Sequence, residues 1–200
     1  MRLALIVLAV SASVLGACNR EDAAPTADAG STSAAGPVPQ PMDLGGAPVD
    51  PGATVLATAA RAANLTTFVS ALQAAGLERS LSQNGPVTVF APSNEAWAAI
   101  DADRREGLVR PEGHEALVRL LNSHMVDGRI PGSELAESVR AGGGTAVLTT
   151  RAGGRLTIRD LGSHWALTDE SGVSANVTQS GAAVSDGVIY LIDGVLVRPA

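Results

Sequence analysis

Lysine is absent from all 200 residues, so each of the 14 basic side chains is an arginine, scattered among 20 acidic ones for a formal charge of −6. Gripping nucleic acid requires a clustered cationic surface to neutralise phosphates, and the sequence has no such block. Aromatic residues are almost as scarce: two tryptophans, two phenylalanines and one tyrosine. That leaves no stacking platform for single-stranded nucleic acid, and Val, Leu, Ile and Ala must fill the interior. One cysteine, Cys18, excludes an intramolecular disulfide and a cysteine-based metal cluster. The N-terminal apolar run, Leu3 to Val10, falls short of the about 20 residues that a bilayer-spanning helix needs.

Catalytic motifs are missing in the same way. There is no Gly-x-Ser-x-Gly elbow to present a nucleophile. Ser123 and His124 are chain neighbours, and adjacent positions on a helix do not face each other. His114, His124 and His164 follow no metal-ligand spacing, so neither a metal nor a cofactor is expected. Gly142-Gly143-Gly144 lacks the Gly-Lys-Ser/Thr ending of a phosphate loop and reads as a flexible connector. Asp101 and Asp103 beside Arg104 and Arg105 read as a solvated charged loop. Asn64-Leu65-Thr66 and Asn176-Val177-Thr178 fit the glycosylation pattern, but a helix cap and a strand end are the better readings. An enzyme is not expected.

What is present begins with Arg2, the short apolar run, and then Leu15-Gly16-Ala17-Cys18. A charged start, a brief hydrophobic stretch and a small-residue cleavage site make a secretory signal. The last four residues resemble the bacterial lipobox, which implies cleavage after residue 17 and lipidation of Cys18. Each buried methylene of an acyl chain contributes roughly 0.8 kcal/mol, so more than one chain gives lasting attachment. Asn19 leans toward delivery to the outer membrane, on its periplasmic or its outer face. Residues 18–50 are rich in Ala, Pro, Gly and Ser with almost no large apolar side chain. Such a segment cannot bury enough surface to offset chain entropy and is expected to be a disordered tether. Residues 51–200 suffice for one compact domain.

Within that domain, helices are expected from Val55 to Ala62 and after Asn64 as cap, with Leu65, Phe68, Val69 and Leu72 on one face. Val87 to Ala91 reads as a buried strand that Pro92 ends. Ser93 caps a helix that presents Trp97 and Ile100 inward, and Trp97 reads as core. A further helix runs from about Glu112 to Ser123, with Leu117, Leu120, Leu121 and His124 on one face. Period-two segments follow at Thr145 to Thr150, Arg155 to Asp160, Val173 to Gln179, Val188 to Ile192 and Val195 to Arg198. Helices first and strands later argue for an α+β fold.

Two stretches carry a family resemblance. Thr88-Val89-Phe90-Ala91-Pro92-Ser93-Asn94-Glu95-Ala96-Trp97 resembles the first signature box of fasciclin domains, and Asp186-Gly187-Val188-Ile189-Tyr190-Leu191-Ile192-Asp193-Gly194-Val195-Leu196 resembles the second. Leu120 to Val126 is similar to the family's central histidine segment. The resemblance implies a β-sandwich or wedge of strands with several packed helices. It implies a mainly structural role for Thr88, Phe90, Pro92, Asn94, Trp97, Gly187, Val188, Ile189 and Asp193. It also makes Ser123, His124 and Met125 candidates for an interaction site, although His124 reads more simply as satisfying backbone groups between helix and sheet. Relatives often carry tyrosine before the central histidine and histidine in the second box; here Ser123 and Tyr190 stand there, which puts integrin-type binding in doubt. The implied role is adhesion or protein interaction with a protein, cell-surface or matrix partner, at a membrane reached through the lipid anchor. Binding of an apolar small molecule, lipid or carotenoid-like, in a groove is the alternative.

Overall fold

The computed structural model describes residues 43–44, 47–83 and 85–197. The expected signal segment 1–17, the lipidation site Cys18 and most of the expected tether lie outside the described residues. In chain order the elements are β1 (Asp43–Leu44), β2 (Ala47–Pro48), α1 (Val55–Arg61), α2 (Thr66–Ala74), α3 (Glu78–Gln83), β3 (Val87–Pro92), α4 (Asn94–Ala98) and α5 (Ala102–Val109). After a 3-10 turn at Pro111–Gly113 come α6 (His114–Ser123), β4 (Met125–Asp127), α7 (Gly132–Ala141), β5 (Thr145–Thr149), β6 (Arg155–Asp160), β7 (Trp165–Asp169), β8 (Ser174–Val184) and β9 (Gly187–Ile192). The two-residue strands β1 and β2 pair with each other, and Leu44 is already buried in the core.

Val87, Thr88, Val89 and Phe90 are strand formers with no polar side to offer water, and all six residues of β3 are buried, as are all six of β9. Strands apolar on both faces belong in the middle of a sheet with material packed above and below. The seven-stranded sheet has the order β4-β3-β9-β8-β7-β6-β5. β3 and β9 run parallel, Val87 opposite Gly187 through Pro92 opposite Ile192, while every other neighbouring pair is antiparallel. The two signature stretches therefore lie side by side in register. A bridge between Val126 and Thr150 joins the strip's two ends, so the sheet curls into a nearly closed wedge. The fold is α+β, with one curled sheet.

Side chains alternate across a strand, and two interiors result. Val87, Val89, Ala91, Ile189 and Leu191 face the helices and meet Phe68, Leu72, Trp97, Leu117 and Leu121. Phe90, Val188, Tyr190 and Ile192 face the inside of the wedge and meet Leu135, Val139, Leu156, Ile158 and Leu167.

Local expectations hold in outline, with corrections that have clear causes. Asp103, Arg104 and Arg105 lie in the helix α5 rather than in a loop, because the Asp101 carboxylate caps the backbone N–H groups of Asp103 and Arg104. A helix with no buried residue shows no apolar periodicity to read. The glycine run is no flexible connector. Gly143 and Gly144 end α7 with positive φ, returning N–H bonds to Arg140 and Val139, and a Cβ on Gly142 would lie 2.0 Å from the Thr145 carbonyl oxygen. Val195–Val197 is not a strand: it belongs to no sheet, and the Val197 N–H turns back to the Val195 carbonyl oxygen at 2.8 Å. Helices α3 and α7 and strands β4 and β7 were not expected. Asn64 is not the cap of α2; Leu65 holds that position and offers no side-chain bond.

Candidate functional site

The cap that α2 lacks locally arrives from the first signature stretch. Asn94 Oδ1 accepts the Thr67 backbone N–H at 2.9 Å, and its Nδ2 donates to the Ala63 carbonyl oxygen at 3.0 Å. A helix N-terminus has orphan N–H groups that an Asn or Asp oxygen satisfies wherever in the chain it comes from. The second stretch adds to a local cap at α1: Thr54 accepts the Ala57 N–H, and Asp186 Oδ1 accepts the Val55 backbone N–H at 2.6 Å. Locally, Ser93 caps α4 through the Ala96 N–H.

The other residues of the two stretches are equally committed to holding the fold. Thr88 is fully buried, donates to the Gly128 carbonyl oxygen at 2.8 Å and accepts the Ile130 N–H at 3.0 Å, fastening the loop after β4. Phe90 stacks on Tyr190 with ring centroids 5.1 Å apart, and the Tyr190 hydroxyl donates to the Ile130 carbonyl oxygen. Gly181 accommodates that ring, since a Cβ there would come within 2.8 Å of it. Pro92 pairs with Ile192 at the end of β3. A Cβ on Gly187 would lie 1.9 Å from the Val87 carbonyl oxygen, so β3 and β9 approach as they do only with glycine. Val188 and Ile189 are buried, one in each interior. Asp193 accepts the Asn176 backbone N–H at 2.6 Å and its Nδ2 at 2.9 Å. Trp97 is buried, and its indole N–H has no hydrogen-bond partner.

The central segment sits where helix becomes strand. Leu117, Leu120 and Leu121 anchor the inner face of α6, the chain leaves the helix at His124, and Met125 opens β4 against β3. His124 is 1% exposed and Met125 likewise, so neither presents a contact surface; Ser123 is half-buried. The His124 imidazole joins two elements: Nδ1 donates to the Leu120 carbonyl oxygen at 2.8 Å, and Nε2 accepts the Leu196 N–H at 3.0 Å. Those partners require the neutral ring with its proton on Nδ1. Burial pushes its pKa down to about 4, against the opposing influence of the Leu120 carbonyl and the Asp169 charge. Its own carbonyl oxygen accepts the Phe90 N–H at 2.9 Å.

Ser123 and His124 come closer than their adjacency suggests, with Oγ 3.4 Å from Nδ1. The contact cannot activate the hydroxyl. Nδ1 already carries the proton, and Oγ donates to the Leu120 carbonyl oxygen at 2.6 Å. Among the described residues no three His, Cys, Asp or Glu side chains gather as metal ligands would.

Three further anchors have no sequence signal of their own. The Arg129 guanidinium donates to the carbonyl oxygens of Val184 and Ser185, closing the loop before β9. Arg151, with its side chain 9% exposed, pairs with Asp127 at 2.5 Å. Leu196 completes the histidine's coordination of backbone groups. A cleft of about 370 Å3 lies beside this joint, walled by Leu108, Ala116, Leu120, Leu196 and Val197 with Arg104 and Arg119 around it.

Comparison with known proteins places this arrangement. A model of the fasciclin domain matches residues 63–198. Protein sll1483 of Synechocystis sp. is 35% identical over 153 residues, 76% of this chain and 78% of that protein. Human periostin is 25% identical over 66% of this chain but only 14% of its own length, and the pig transforming growth factor-beta-induced protein ig-h3 is 29% identical over 66% of this chain and 17% of its own. Among solved structures, a FAS1 domain pair from the insect cell adhesion molecule fasciclin I aligns with a TM-score of 0.55 at 24% identity, over 68% of this chain and 46% of that one.

Proposed function

The chain belongs to the fasciclin domain family, and from that membership we propose that it is a non-catalytic adhesion or protein-interaction module, tethered to the bacterial cell envelope by lipid on Cys18. The observation that carries the non-catalytic part is the structural use of polar groups in the signature stretches and the central segment: Thr88, Asn94, Asp186 and Asp193 hold loops, helix ends and strands, and His124 holds its two backbone partners. Asp193 borders a cleft, and there both of its carboxylate oxygens are bonded to Asn176. Support for adhesion comes from the likeness to the fasciclin I pair, which belongs to a cell adhesion molecule; fold alone does not fix function, so the partner is to be found by experiment.

The lipobox-like Leu15-Gly16-Ala17-Cys18 and the Ala/Pro/Gly-rich stretch after it support the anchor and tether. With the domain held off the headgroups in this way, its outer surface meets a protein or matrix partner in the periplasm or at the cell surface. Metabolic labelling with a fatty acid tests the anchor: label enters the wild-type protein and not Cys18→Ser, which leaves the membrane fraction. Cross-linking in intact envelopes followed by mass spectrometry tests the interaction; adducts that form in the wild type and recur across independent preparations support it, and their absence refutes it.

A second reading rests on the apolar cleft beside His124. At about 370 Å3 it falls within the roughly 300–1,000 Å3 of small-molecule sites, and a lipid or carotenoid-like ligand would suit its aliphatic walls. Organic extraction of the purified protein yields that ligand if this reading is right and an empty extract if it is not.

A further inference from the structure

The walls of the cleft beside His124 come from two helices that pack on each other, α5 and α6, with Ala152 and the segment at Leu196 and Val197 completing it. On α5, Arg104 and Leu108 are four residues apart; on α6, Arg119 and Leu120 each lie three or four residues from both Ala116 and Ser123. Positions so spaced share one side of a helix, so each helix brings an arginine and an aliphatic side chain together to the space between them. Leu120 and Leu196 are buried beneath it, and Leu108 and Val197 are half-buried against the core. Ser123 is already used, its hydroxyl donating to the Leu120 carbonyl oxygen. A polar ligand body would leave water for aliphatic walls and find no partner there. The body that fits is hydrocarbon.

Charge decides the other end of the ligand. The charged residues described in the lining are Arg104 and Arg119, and no described carboxylate joins them, in a chain where acidic residues outnumber basic ones by 20 to 14. Arg119 pairs with Glu115 only loosely, at 3.9 Å with both side chains largely exposed, and such a surface pair contributes little. A guanidinium offers five N–H donors in a planar fork that matches a carboxylate. Two of them beside an apolar cleft are complementary to an anion carried on a hydrocarbon chain.

Size narrows the class further. At about 370 Å3 the cleft lies near the lower end of the roughly 300–1,000 Å3 of small-molecule sites, which suits one chain and not the two of a membrane phospholipid. We propose that this cleft binds a free fatty acid, its chain along the aliphatic walls and its carboxylate at Arg104 and Arg119. The proposal rests on the reading of the cleft as an apolar-ligand site, and goes beyond it by giving the ligand a single tail and a negative head.

Calorimetric titration with dodecanoate, dodecanol and dodecyltrimethylammonium, each below its micellar concentration, tests it. The protein is the full chain carrying Cys18→Ser, so that no detergent competes for the cleft. Dodecanoate should bind at one site per chain, about fivefold or more tighter than either of the others. That preference should shrink as salt is added, because both arginines are exposed. Arg104→Gln combined with Arg119→Gln, at exposed positions where folding is retained, should bring dodecanoate down to the affinity of dodecanol and leave dodecanol unchanged. If dodecanol binds as tightly as dodecanoate, or the cation more tightly, the anionic head is refuted while the apolar-ligand reading stands. If none of the three binds, both readings fall. Dodecanoate bound undiminished by the folded double variant would overturn the assignment of the carboxylate to these arginines.

Discussion

Acidification should destabilise this domain through one side chain, and the amount follows from its surroundings. His124 is buried, and its folded pKa is lowered from the ordinary 6.5 to about 4. For a histidine with a depressed folded pKa, the unfolded chain takes up protons that the folded one refuses. The stability due to keeping the ring neutral is complete above the unfolded value near 6.5 and falls away as pH drops toward about 4. Integrating over that window gives a loss of about 1 kcal/mol at pH 6, about 2 at pH 5 and about 3 at pH 4. The structural cause is specific: a proton on Nε2 removes the acceptor for the Leu196 N–H and places a charge among leucines. Carboxylates also titrate in this range, so the quantity to measure is a difference. Urea unfolding of the wild type and His124→Phe at several pH values between about 4 and 7 isolates it. At neutral pH the variant should be about 1–3 kcal/mol less stable, because the Leu196 N–H loses its partner inside the protein and the Leu120 carbonyl keeps only the Ser123 hydroxyl. That gap should close as pH falls, by roughly the amounts above. A gap that stays constant with pH would refute the reasoning, since His124 would then contribute packing and hydrogen bonds but no proton linkage.

The remaining expectations concern the joints between elements. Asn94→Ala should cost about 1–2 kcal/mol in urea unfolding, as a lost helix cap does, even though the helix it caps is 27 residues away at Thr67. Gly187→Ala should reach or exceed the upper end of the about 1–3 kcal/mol typical of overpacking, because the new methyl meets a backbone carbonyl rather than a yielding side chain; thermal melting reads it directly. Trp97→Ala should lose about 3–5 kcal/mol, and Trp97→Phe distinctly less, since Phe restores part of the volume and removes an indole N–H that has no partner. A melting temperature for Trp97→Ala equal to the wild type would place the ring outside the core.

The fold was legible where a single stretch of chain decides its own state. Ser93 stands before a short helix and caps it; Val87 to Phe90 can hardly be other than a buried strand; α6 places Leu117, Leu120 and Leu121 on one face, as its spacing demands. Elements were missed where local pattern is weak. Helix α5 buries nothing, and β4 is three residues long and exists through its pairing with β3. Strand β7 shows no clear alternation, with only Leu167 fully buried.

At the candidate sites the division is sharper. His124 could be singled out from the sequence as a histidine on an apolar face, but not its partner Leu196, 72 residues further on. Asn64 had the right chemistry for a cap and the right neighbourhood; Asn94 has the geometry. The cleft beside His124 draws its walls from α5, α6, the turn at Ala152 and the segment after β9, so no single window of sequence contains it. Composition and periodicity determined the helices, the central strands and the stock of apolar side chains, because these depend on neighbours within a few positions. The pairing of the two signature stretches, the distant helix caps, the protonation state of His124 and the clefts were decided only by tertiary structure, because each depends on the distance between groups that the chain brings together from far apart.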